Sequence, residues 1–169
     1  MGYDMTWENA SQHEDPYFRL NIFGMARYSE SMHRLGMLYP AEPGSFPQAH
    51  EHGTTWEHVW TVGDEAAPDP DADTPKLTEE QAEAARDFAT RLETHLSQHP
   101  GDTPGIPSFK FSTNDGWLVT PEECKAAAQA ARAATPTQLD ANVGPEREYW
   151  GRWVEYLEKA AEHGGFRVN

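Results

Sequence analysis

The chain has 169 residues, 37% hydrophobic and 24% charged, and its 13 Lys and Arg against 28 Asp and Glu give a formal net charge of −15. That length suits one domain with a sizeable core, and a field of that sign repels phosphate backbones and anionic lipid, so neither nucleic acid nor membrane is an expected partner. The single cysteine, Cys124, excludes an intrachain disulfide and, within one chain, a cysteine-based zinc site.

Residues 2–7, GYDMTW, alternate as a short strand, and 10–16, ASQHEDP, read as a polar turn holding His13, Glu14 and Asp15. YFRLNIF, 17–23, sets Phe18, Leu20 and Ile22 against Tyr17, Arg19, Asn21 and Phe23, a strand with one buried face. Gly24 breaks it. Met25, Tyr28, Met32 and Leu35 then recur three or four apart, the spacing of an amphipathic helix that closes near Gly36. Proline and glycine punctuate residues 40 to 75, and the acidic Pro/Asp-rich stretch at about 63–76 reads as an exposed loop. Between them, TWEHVWTV places Trp56, His58, Trp60 and Val62 on one side of a short strand.

Thr78-Glu79-Glu80-Gln81 is a capping box, and the helix it starts buries Ala85, Phe88, Ala89, Leu92 and Leu96 before Pro100-Gly101. SFKFS, 108–112, and WLVT, 117–120, flank an Asn/Asp/Gly turn and predict a hairpin with Phe109 and Phe111 facing the core. Thr120-Pro121-Glu122-Glu123 starts an alanine-rich helix. After a break at Thr135-Pro136, a last helix runs from Pro145 to about His163 on a stripe of Tyr149, Trp150, Trp153, Val154, Leu157, Ala160 and Ala161. Gly164-Gly165 stops it, and FRV, 166–168, returns as an edge strand. The sum is an α+β fold of about four helices packed on a small antiparallel sheet, one domain over residues 1–169.

Chemistry has few places to reside. His50 and His52 point the same way in an extended segment, and His58 closes a three-histidine set that suits zinc or another divalent transition metal. The spacing matches no strong metal signature, so a solvated loop and no cofactor is the plainer expectation. Trp56 and Trp60 border that loop and could line a ligand groove, though covering the end of the sheet is their plainer role, while Arg19 and Asn21 share a strand face able to bind a carboxylate or amide. For Arg19, with Arg27 and Arg34, local ion pairing is the simpler role. Cys124, in the first turn of a capped helix, could act as a nucleophile with a histidine base, though Glu122 and Glu123 oppose its thiolate.

The segments MGYDMTW, YFRLNIFGM, NDGWLVTPEEC and HGGFRVN together resemble small uncharacterised proteins of high-GC actinobacteria and their phages. The preference for Arg over Lys and the many alanines agree with that resemblance, which implies no activity, cofactor or site residue. No run approaches about 18 apolar residues and the N-terminal stretch has no basic region, so a cytoplasmic protein is expected. The leading expectation is a binding or regulatory protein that engages a protein or small ligand. A metal-assisted hydrolase built on the histidine loop and a self-assembling structural protein are the alternatives.

Overall fold

The β1 strand (Gly2–Trp7) alternates buried Met5 and Trp7 with outward Asp4 and Thr6, and this period-two pattern commits one face to a core. The structure is a computed structural model that describes residues 2–11, 15–64 and 76–169. β2 (Tyr17–Asn21) pairs antiparallel with β1, setting Met5 opposite Phe18 and Tyr3 opposite Leu20. The chain divides into two compact units, residues 1–43 with 99–169, and residues 44–98.

In the first unit, α1 (Ile22–Arg34) begins directly at the end of β2, because the Asn21 side chain accepts the Gly24 N–H at 2.7 Å and caps the helix. The strand predicted over 17–23 therefore stops two residues early. β3 (Leu38–Tyr39) and β4 (Ile106–Pro107) form a two-stranded parallel sheet. β5 (Trp117–Val119), α4 (Pro121–Ala133), α5 (Pro136–Asn142), α6 (Arg147–Glu162) and β6 (Phe166–Val168) complete the unit. The larger sheet runs β2-β1-β6-β5, antiparallel throughout. Its inner face, with Met5, Phe18, Leu20, Val119, Phe166 and Val168, packs with the α6 stripe of Trp150, Trp153, Val154, Tyr156 and Leu157 in one core. Phe18 and Phe166 lie 5.3 and 5.9 Å from Trp153, ring centre to ring centre. Ala127, Ala128 and Ala131 keep the buried face of α4 thin enough for α6 to pack close to it.

The second unit pairs α2 (Trp56–Asp64) with α3 (Glu79–Leu96), preceded by a 3₁₀ turn at Ala49–His52. Thr78 and Gln81 cap α3 reciprocally, as the sequence predicts.

The architecture corrects the expectation of about four helices on one small antiparallel sheet. Among the described residues there are six α-helices and two sheets, of four and two strands, and the smaller is parallel. Three local readings account for the difference. Residues 56–62 are helical, not extended. Ser108–Phe111 is a 3₁₀ turn, so the expected hairpin does not form and β5 takes β6 as its partner. Thr135-Pro136-Thr137-Gln138, read as a break, is a third capping box and starts α5. The predicted acidic loop falls largely on residues 65–75, which lie outside the described residues, as do His13 and Glu14.

Candidate functional site

Thr55 starts α2. Its hydroxyl accepts the His58 N–H at 3.3 Å, a donor that a helix N-terminus otherwise leaves unpaired, and its carbonyl accepts the Val59 N–H at 3.1 Å as the first bond of the helix. The helix that follows is patterned the wrong way round for a surface element. Thr61 is buried and His58 and Val62 are half-buried, whereas Trp56, Glu57 and Trp60 are exposed. Thr61 satisfies its hydroxyl by donating to the Glu57 carbonyl at 2.9 Å. The Nδ1 of His58 is buried without a hydrogen-bond partner. Trp56 and Trp60 stand four residues apart, so they share one face of α2.

Trp56 is anchored. Its ring meets Phe88 of α3 edge-on at 5.3 Å, and Phe88 has no exposed surface. Trp56 still leaves 37% of its surface exposed, and Trp60, one turn further on, leaves 65%. The His52 ring tilts against Phe88 at 5.6 Å. His52 also lines an acidic hollow of about 360 Å³ with Glu80, Glu83, Asp87 and Arg91. Arg91 lies 3.7 Å from Asp87, and Arg86 lies 3.5 Å from Glu79.

The three candidate metal ligands are placed but not brought together. His50 and His52 sit on the 3₁₀ turn, where residues two apart diverge by about 240° instead of aligning as they would in a strand. His58 lies on α2. Among the described residues no group of three or more His, Cys, Asp or Glu is arranged to hold a metal ion. Arg19 and Asn21 do share the outer face of β2, yet both are engaged. Arg19 pairs with Asp4 at 3.6 Å, and Asn21 spends its carbonyl oxygen on the α1 cap. Arg27 and Arg34 pair with Glu146 and Glu30. Cys124 has no exposed surface, and burial pushes its thiol well above the ordinary value, so no nucleophile is presented there.

The most elaborate polar cluster is one that sequence reasoning missed. Lys110 has no exposed surface and donates to both oxygens of Glu123, at 2.9 and 2.8 Å, and to the Leu118 carbonyl at 2.6 Å. Glu123 also accepts the Thr120 N–H at 2.9 Å and meets Nδ1 of His99 at 2.8 Å. The other nitrogen of His99 lies 3.1 Å from the Thr103 carbonyl. Burial holds the Lys110 ammonium below its usual range, and Glu123 opposes that shift. His99 and Glu123 border an open hollow of about 540 Å³ with Thr103, Thr120 and Glu122. Every donor of Lys110 and both oxygens of Glu123 are spent inside the protein, so the cluster clamps the 3₁₀ turn, α4 and the 99–103 loop together and leaves these two groups nothing to offer a reactant.

No protein-family model, curated protein or solved structure matches this chain. No helix among the described residues is long and apolar enough to cross a membrane.

Proposed function

We propose that this is a binding protein that docks a protein partner on the exposed face of α2 through Trp56 and Trp60. The observation that carries the reading is the 65% exposure of Trp60 beside a half-anchored Trp56, on a helix whose inward stripe carries His58 and Thr61. A helix that needed only to pack on α3 would turn its indoles inward. Covering Trp60 would remove on the order of 100–150 Å² from water, a gain of about 3 kcal/mol, the size expected of an interface anchor. Edge contact with Phe88 holds Trp56 in place before any partner arrives, which lowers the ordering cost of association. The saturated Lys110–Glu123 clamp supports binding over catalysis, because it presents neither an uncommitted base nor a nucleophile.

A photo-crosslinking residue placed at exposed Gly63, three residues on from Trp60 on α2, tests this with both indoles in place, with one at exposed Lys125 as the control and mass spectrometry naming the product. The expected result is one discrete partner crosslinked from position 63, absent from position 125 and lost when Trp60→Ala is added. No product, or the same products from both positions, removes the proposal.

A further inference from the structure

The charge around α2 narrows what can occupy it. Residues 44–98 hold 12 acidic and three basic residues, a net −9 of the chain's −15 in about a third of its length. Two of the three basic residues, Arg86 and Arg91, already lie within 4 Å of carboxylates on their own helix. Glu57 is exposed next to Trp56, and the hollow carrying Glu80, Glu83 and Asp87 opens beside His52, which shares Phe88 with Trp56. The face of an indole ring is itself electronegative and attracts a cation brought within about 6 Å of its centre. The quadrupole of the rings and the Coulomb field of the unit therefore select the same sign of ligand.

We infer that the α2 face takes a basic segment of a partner protein, with Arg or Lys side chains laid over Trp56 and Trp60. This rests on the reading of α2 as a docking face. A second copy of the chain would bring −9 against −9, and nucleic acid or an anionic bilayer would meet the same repulsion. A neutral apolar segment would cover the rings but would desolvate Glu57 without pairing it. Four residues of helix separate the two indoles by about 6 Å along the axis, and alternate side chains of an extended strand repeat at about 6.6 Å. An extended segment with basic residues at alternate positions thus reaches both rings at once. Arginine fits better than lysine, because its planar guanidinium stacks on an aromatic face and is more weakly hydrated.

Three synthetic peptides on one Gly/Ser background, carrying Arg, Leu or Glu at alternate positions, test the inference by calorimetric titration of the full chain. The Arg peptide should bind, and the Glu peptide should show no binding. Raising salt from about 50 to about 500 mM should weaken the Arg complex at least tenfold. Trp60→Ala and Trp60→Leu should each weaken it about tenfold, since leucine keeps apolar area but has no ring quadrupole. Equal affinity for the Leu and Arg peptides, or full affinity in Trp60→Leu, overturns the basic occupant while the docking face stands. Absence of binding by every peptide, together with a partner crosslinked from position 63, also overturns the basic occupant alone. If crosslinking fails as well, both readings fall.

Discussion

Lys110 shows how much one side chain can be asked to do. An ammonium with no exposed surface loses all its hydration, a penalty of several kcal/mol after relaxation. The fold offsets this with three acceptors, two on Glu123 and one on Leu118, while Glu123 closes the α4 capping box through Thr120. Breaking one side of such a pair is worse than removing both, because the surviving charge stays buried without its lysine counter-ion. Lys110→Met should therefore lower unfolding free energy by about 3–5 kcal/mol, whereas Lys110→Met with Glu123→Gln should recover most of that loss. Glutamine retains the cap and sheds the charge. Urea unfolding at neutral pH reads both, and a double variant as unstable as the single one would show that the pair contributes specific stability beyond charge compensation. This clamp was invisible in the sequence for a definite reason. A lysine between Phe109 and Phe111 in a strand-like run reads as the outward residue of an alternating pattern, and only the 3₁₀ turn buries all three.

At the scale of elements, what was legible followed from local chemistry that tertiary packing could not override. The boxes at Thr78 and Thr120 announced α3 and α4, and the stripe ending in Gly164-Gly165 announced α6. α2 was misread because Trp56, His58, Trp60 and Val62 satisfy both periods: alternation links all four, while helical spacing links Trp56 to Trp60 and His58 to Val62. Over nine residues the two patterns are not separable, and the outward indoles reversed the usual assignment of faces. The candidate site was thus legible in its residues but not in its geometry. The joint between α6 and β6 gives a sharp test of element packing. Gly165 has φ +88°, and a Cβ there would meet the Val119 carbonyl oxygen of β5 at 2.1 Å, so both backbone and space require glycine. Gly151, inside α6, has nothing within 4 Å of a built Cβ. Gly165→Ala should destabilise the fold by about 3 kcal/mol or more, and Gly151→Ala should stabilise it by about 0.5–1 kcal/mol. Thermal melts of the two variants should move in opposite directions; a common direction would contradict the packing of β5 against this joint.

For the whole molecule, the two units differ in composition as much as in structure. Residues 44–98 carry most of the net negative charge and contain neither Tyr nor Cys, so the buried thiol and every phenol belong to the other unit. Burial raises Cys124, Tyr28, Tyr39 and Tyr156 above their ordinary values, with Glu146 adding to Tyr28 and Glu123 to Tyr39 and Cys124. A group raised by folding keeps its proton in the native state at pH values where the unfolded chain has lost it. Its stabilisation is complete below the unfolded value and is lost as pH rises through the window above it. That window opens at 9.0 for the thiol and 10.0 for the phenols. Lys110 acts in the opposite sense, because burial lowers it and the unfolded chain then holds the extra proton. One opposing group with Glu123 beside it does not outweigh four. The urea midpoint should therefore hold steady through neutral pH and fall from about pH 9 upward, with the first part of the fall missing in Cys124→Ala. Trp60 belongs to the unit of residues 44–98, which contains no phenol or thiol, so affinity at the α2 face should not follow the midpoint down while the protein remains folded. A binding curve that tracked the alkaline loss of stability would mean that the docking face depends on the core of residues 1–43 and 99–169.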